Sequence, residues 1–322
     1  SIFAVLPFVG AGNSISLLGY GDEQVAKMSV LVADMNSFAH DFCTRQKISG
    51  FHLSGYILKQ VPSLPPETYD HRCVWQLQLT IAQWMAVRVL ELTYTAWDLE
   101  AFALDCGYDG PPFRWDEERR FLLRCELDAA YFHLYLGSPA EWGKEPEEVP
   151  GVGGQVSGES QLARNPKPET RNPSALAEMF PTPRDAVAYI METFPIVKRK
   201  DIKRTTITDE NGLVTQPGTY ITKDTILAIY DEMQTAINTG HPYQTRLDPH
   251  PGPPTDDSGN FIPMEDWRGQ PGHIHPPRLV RHQVEQGRLV LDLLLLLEAW
   301  KQPVSITALE PALLMMRNSA AR

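Results

Sequence analysis

The stretch DEERRFLLRCELDAAYFHLYL, Asp116 to Leu136, is the longest uninterrupted helical pattern in this chain. Asp116, Glu117 and Glu118 stand where a helix dipole favours negative charge, and Gly137 follows as a residue able to take the C-terminal turn. Phe121, Leu122, Cys125, Ala129, Phe132 and Leu136 recur at three- and four-residue spacing, which predicts one apolar stripe facing a core. Working outward, the same spacing predicts helices over 77–92, 96–104, 184–194 and 223–237, and one from Glu23 to Phe42 through Val25, Met28, Leu31, Met35 and Phe38. The run 278–317 reads as helical with a break near Pro303.

Extended structure is expected in two places. Ile2 to Leu6 is apolar from the outset, and Ile48 to Val61 carries Gly50 and Gly55 before ending at Pro62-Ser63-Leu64-Pro65-Pro66, where proline removes backbone donors. The expected fold class is therefore α+β, a small mixed sheet near the N-terminus followed by a mainly helical region. Ser138 to Pro183 is dominated by Gly, Pro, Glu, Ser and Asn and reads as a linker or long surface loop. His241 to Pro277, rich in Pro, Gly and Asp, is expected to wrap a surface without regular elements. The organisation that follows is 1–70, 71–137, 138–183, 184–240, 241–277 and 278–322.

The 322 residues suffice for about two domains of ordinary size. Hydrophobic residues make up 43% of the chain, enough to build a core and to argue against global disorder. With 29 basic against 40 acidic residues the net charge is −11, opposite in sign to a chain that coats itself in nucleic-acid phosphate. Any such contact must come from local patches, or from a part of a parent protein outside this chain. Cys43, Cys73, Cys106 and Cys125 form no CxxC pair and read as buried thiols in a reducing compartment. Leu293 to Leu297 is too short an apolar run to cross a bilayer, so a cytoplasmic location is expected. The missing initiating Met and the apolar opening suggest an excised piece of a longer protein.

The sequence shows little that could catalyse. The glycines at Gly10, Gly12, Gly19 and Gly21 are lone turns, weak as phosphate cradles. Among the Pro-Pro pairs, Asp109-Gly110-Pro111-Pro112-Phe113 comes nearest to a polar-Pro-Pro-aromatic loop, and its glycine spoils the spacing. His241, His250, His273, His275 and His282 gather in an irregular segment where solvated rings are the default, although His273 and His275 could share one strand face as metal ligands. No Gly-x-Ser-x-Gly elbow occurs. Glu117-Glu118 and Glu147-Glu148 read as a helix start and a solvated loop. The densest basic cluster is Lys198, Arg199, Lys200, Lys203 and Arg204. A second group comprises Arg45, Lys47 and Lys59, with His52, Ser54 and Gln60 nearby. Cations of this kind grip phosphates, while His and Gln can read base edges; the competing reading is a solvated surface.

Two stretches resemble a known family. LVADMNSFAHDFCTRQKISGFHLSGYILKQVPSLPPETY, Leu31 to Tyr69, is similar to the end of the target-recognition region of large single-chain adenine-specific DNA methyltransferases of type II restriction-modification and phage-defence systems. The matching positions are Asn36, Ser37, Phe38, Arg45, Gln46, Lys47, Gly50, His52, Leu53, Lys59, Gln60, Leu64, Pro65 and Pro66. Arg124 to Tyr135, joined by Tyr189 to Lys198, resembles the helical C-terminal region of the same proteins. Two departures are visible: Ser138 to Pro183 separates halves that lie close together in the family, and Thr205 to Pro217 lengthens the run from the basic cluster to Ile226-Leu227-Ala228-Ile229-Tyr230-Asp231.

The resemblance implies a non-catalytic C-terminal part of such an enzyme, helping to engage DNA and set target specificity. It implies double-stranded DNA, the methyltransferase domain and other defence subunits as partners, with no membrane. S-adenosylmethionine would then bind in the catalytic domain outside this chain, and this chain would hold neither a catalytic nor a cofactor-binding nor a metal-binding residue. DNA contact would fall to Arg45, Lys47, His52, Lys59, Gln60, Lys198, Arg199, Lys200, Lys203 and Arg204. The alternative is a docking module of a defence complex that does not touch DNA, which the acidic balance favours.

Overall fold

The computed structural model describes residues 3–6, 25–48, 53, 55–140, 142, 178–256, 261–263, 266 and 272–275. These form a mainly helical structure with one small antiparallel sheet, an α+β arrangement. The helices in chain order are α1 (Val25–Asn36), α2 (Phe38–Arg45), α3 (Gly55–Leu58), α4 (Ile81–Thr93), α5 (Glu100–Asp105), α6 (Glu117–Leu136), α7 (Pro183–Glu192), α8 (Pro195–Thr205) and α9 (Ile221–Thr239). The expected segments 143–177 and 278–317 lie outside the described residues.

The helix ends follow from local chemistry. Asp116 caps α6 by accepting from the Arg119 amide at 2.8 Å, and Gly137 closes it at φ +74°. Thr80 with Gln83 and Thr182 with Asp185 form reciprocal capping boxes at the starts of α4 and α7. The helix expected from 23 to 42 is instead two. Ser37 takes extended backbone angles and accepts from the His40 amide at 3.1 Å, so a new helix starts at Phe38. α9 has no side-chain cap of its own, and Asp201 on α8 accepts from the Thr222 amide at 2.7 Å in its place.

The sheet differs in place from the expectation. Among the described residues the strands are β1 (Ile207–Thr208) and β2 (Val214–Gln216), an exposed hairpin within the Thr205–Pro217 run. Its turn is set by Asp209, whose carboxylate accepts from the Asn211 and Leu213 amides, and by Gly212 at φ +79°. Near the N-terminus, residues 3–6 form no strand; Phe3 instead exchanges two hydrogen bonds with the Asn36 side-chain amide, at 3.0 and 2.8 Å. Residues 55–58, expected as extended, close a short helical turn before the proline run. Gly218, which follows the hairpin, passes so close to α8 that a Cβ would stand 2.0 Å from the Ile202 carbonyl oxygen.

α6 is the centre of the fold. From Leu123 to His133 it is buried on nearly every side, packed by α9, α2 and α4, while α1 covers α4 and α7 and α8 cover α9. Trp75, Trp84, Met85, Tyr131, Phe132, Phe194, Tyr230 and Met233 make the main core, and a smaller cluster gathers Leu90, Tyr94, Phe102, Tyr108 and Phe113. Because α6 is surrounded, its polar positions are buried as well as its apolar stripe. Glu126 is met by Arg88 Nε at 2.8 Å, the Tyr243 hydroxyl at 2.9 Å and the Thr245 hydroxyl at 2.5 Å. That network ties the chain beyond α9 to α4 and α6. Cys43, Cys73 and Cys125 are buried free thiols and Cys106 is partly buried, as expected. Residues 241–256 carry no helix or strand, again as expected. Among the described residues, no helix is long and apolar enough to cross a membrane.

Candidate functional site

A cleft of about 810 Å³ opens between α6 and α8, floored by α1, the start of α2 and the end of α4. Each helix contributes one stripe. From α6 come Arg120, Phe121, Arg124, Cys125, Asp128 and Tyr131; from α8 come Val197, Lys200, Asp201 and Arg204. Both sets repeat at three and four residues, so each is a single helix face. Val32, Phe38, Val89 and Leu92 supply an apolar floor. Arg204 lies over the Phe121 ring, 5.3 Å from its centroid, and links the two walls.

Asp128 is the most unusual group here. It is 9% exposed, and one carboxylate oxygen accepts from the Phe38 amide at 2.8 Å, a free donor at the first turn of α2. Its other oxygen has no hydrogen-bond partner among the described residues. Burial pushes its pKa up to about 7, against the downward pull of the Phe38 amide and of Arg124. On the same α6 face Arg120 donates to the Leu92 carbonyl at 2.8 Å and lies 3.6 Å above the Trp115 ring, with its Nε buried and unpartnered. Burial, then the neighbouring Arg124, lowers the Arg120 pKa. Asp34 is a second raised carboxyl, pushed to about 6 by burial although the Tyr135 hydroxyl, at 2.7 Å, and the Leu64 amide stabilise its charge.

The residues named from the sequence are only partly gathered. Lys198, Arg199, Lys200, Lys203 and Arg204 all lie on α8, but on different faces. Lys200 and Arg204 line the cleft, Lys198 turns to Glu192 at 2.7 Å, and Arg199 and Lys203 are exposed. Arg204 is 3.7 Å from Asp201. Arg45, at the end of α2, pairs with Asp41 at 2.8 Å and sets its guanidinium 4.4 Å from the centroid of Phe194, the residue just before α8. Phe194 also meets Phe38 edge-on at 4.7 Å. Two basic segments about 150 residues apart are thereby joined at one ring. Lys47, Lys59 and Gln60 are exposed, and no hydrogen bond, ion pair or ring contact among the described residues joins them to α8. Gln60 reaches back to the Tyr56 carbonyl at 3.4 Å. His52 lies outside the described residues.

Sequence reasoning missed Arg120, Arg124, Asp128 and Asp201. The four-residue spacing of Arg120, Arg124 and Asp128 was a usable signal, since it places all three on one helix face. That Asp128 would be buried was not visible locally. Of the candidate histidine ligands, His273 is buried against the Phe113 ring with Nε2 at 3.3 Å from the Gly252 carbonyl, and His241 and His250 are exposed. His273 and His275 flank Ile274, which forms a single bridge to Phe113. Among the described residues, no three His, Cys, Asp or Glu side chains converge as metal ligands would. Comparison with protein-family models, curated proteins and solved structures finds no match for this chain.

Proposed function

We propose that this chain is a non-catalytic C-terminal part of an adenine-specific DNA methyltransferase of the restriction-modification or phage-defence kind, acting in the cytoplasm and gripping duplex DNA along α8. The meeting of Arg45 with Phe194 at the start of α8 carries the reading, because it brings one residue of the second basic group beside the α8 cluster. Arg199, Lys200, Lys203 and Arg204 would hold phosphates, with Arg45 extending the line. Lys47, His52, Lys59 and Gln60 would contact the bases or the sugar-phosphate edge. S-adenosylmethionine and the chemistry of methyl transfer would belong to a catalytic domain outside this chain.

Phosphate contacts release counterions, so log K falls with log salt by about 0.9 per neutralised phosphate on B-form DNA. Four α8 contacts give a slope of about −4, and K200E/K203E should weaken binding and flatten the slope by about 2. Fluorescence anisotropy with a labelled duplex over a salt series measures both. A chain that ignores DNA at low salt, or a variant that binds like the parent, overturns the reading.

A second reading is favoured by a specific observation. Arg45, Lys198 and Arg204 each sit beside an acid, respectively Asp41, Glu192 and Asp201, on a chain of net charge −11. Cations already paired have less to offer a phosphate, which suits a docking module of a defence complex. Failure to bind DNA together with stable co-purification with the methyltransferase domain would establish it.

A further inference from the structure

The cleft between α6 and α8 combines features that a DNA-gripping edge does not need. It is large enough to enclose a small molecule, within the range of roughly 300 to 1,000 Å³ usual for such sites. Its mouth carries Arg124 and Lys200, exposed cations from opposite walls that form no ion pair or hydrogen bond among the described residues. Its floor is apolar, through Val32, Phe38 and Leu92. Within it, the second oxygen of Asp128 has no donor among the described residues.

We infer that this cleft binds a small phosphate-bearing molecule whose body is a flat, polar-edged heterocycle, that is, a mononucleotide, with the phosphate between Arg124 and Lys200 and the ring edge at Asp128. The spacing supports this order. Arg124 and Asp128 are one turn apart on α6, about 6 Å along the helix axis, and Lys200 faces them from the other wall. An anion at the mouth leaves room for a ring over the apolar floor. A purely aliphatic tail would cover the Asp128 carboxyl without giving it a partner, which is costly for a buried polar group. A heterocycle bearing an amino group or ring nitrogen satisfies that oxygen, whether Asp128 is ionised and accepting or protonated and donating, and its raised pKa allows both. The inference does not rest on DNA binding by α8.

Titration calorimetry on the intact chain, without DNA, tests it with adenosine monophosphate, adenosine, inorganic phosphate and decyl phosphate. Adenosine monophosphate should bind more tightly than adenosine or inorganic phosphate. R124A/K200A changes two exposed side chains and should keep the parent's thermal unfolding. It should lose at least roughly tenfold in affinity for the monophosphate, as charged hydrogen bonds imply, while adenosine binding stays the same. The inference is overturned if the monophosphate does not bind, if the double variant binds it equally well, or if decyl phosphate binds more tightly than the nucleotide.

Discussion

Replacing Asp128 by Asn should stabilise the protein at pH 8 and change it little at pH 4. The amide oxygen of Asn can still accept from the Phe38 amide at the start of α2, so the geometry at 2.8 Å is retained while the charge is lost. The ordinary value for this carboxyl is 3.8, and burial pushes it to about 7 in the folded chain. Below about pH 4 both folded and unfolded chains hold the proton, and the full contribution of the protonated form is present. As pH rises toward 7 the unfolded chain releases the proton while the folded chain keeps it, so the wild type loses stability steadily; above 7 the loss is complete. A shift of about three units at about 1.4 kcal/mol each bounds the effect near 4 kcal/mol, and solvent reaching the open oxygen from the cleft reduces it to about 2 to 4 kcal/mol. Urea unfolding followed by tryptophan fluorescence, run on both proteins across pH 4 to 8, reads the difference directly. Asp34 and His133 titrate in both proteins and cancel. A gap that is the same at every pH, or one that closes as pH rises, would refute the view that Asp128 is held in a cleft that resists its charge.

The remaining expectations concern the centre of the fold. Glu126→Ala should cost about 3 to 5 kcal/mol, because it strands Arg88 in the interior, whereas R88M/E126L should recover much of that loss; chemical denaturation of the two variants and the wild type checks this. His133 stacks on Tyr230 at 3.8 Å, and burial lowers its pKa to about 4 from 6.5. A buried neutral histidine resists protonation, so its share of stability is complete above pH 6.5 and is lost as pH falls toward 4. His133→Gln should flatten that acid limb, as seen in the unfolding midpoints between pH 4 and 7.

The sequence alone determined most of the helices, since these depend on neighbours a few residues away. Asp116 and Gly137 mark ends that the backbone obeys, and the apolar spacing of α6 and α9 marks the helix bodies. The break at Ser37 was less legible, because apolar spacing runs across it and only a side-chain bond to His40 divides the two helices. Residues 55–58 and the hairpin were misread in conformation or place for a related reason: short runs lack enough periods to separate helix from strand.

Tertiary structure decided the rest. Glu126, Asp128 and His133 occupy positions that a one-sided amphipathic helix would give to water, and they are buried because helices from before and after α6 in the chain close around it. Arg45 and the start of α8 meet through the packing of Phe194, and the cleft exists where the stripe of Arg120, Arg124 and Asp128 meets that of Lys200 and Arg204. Helix formation is settled by hydrogen bonds and side chains within one or two turns. Burial, and the altered proton affinity that comes with it, depends on which distant segment excludes the water.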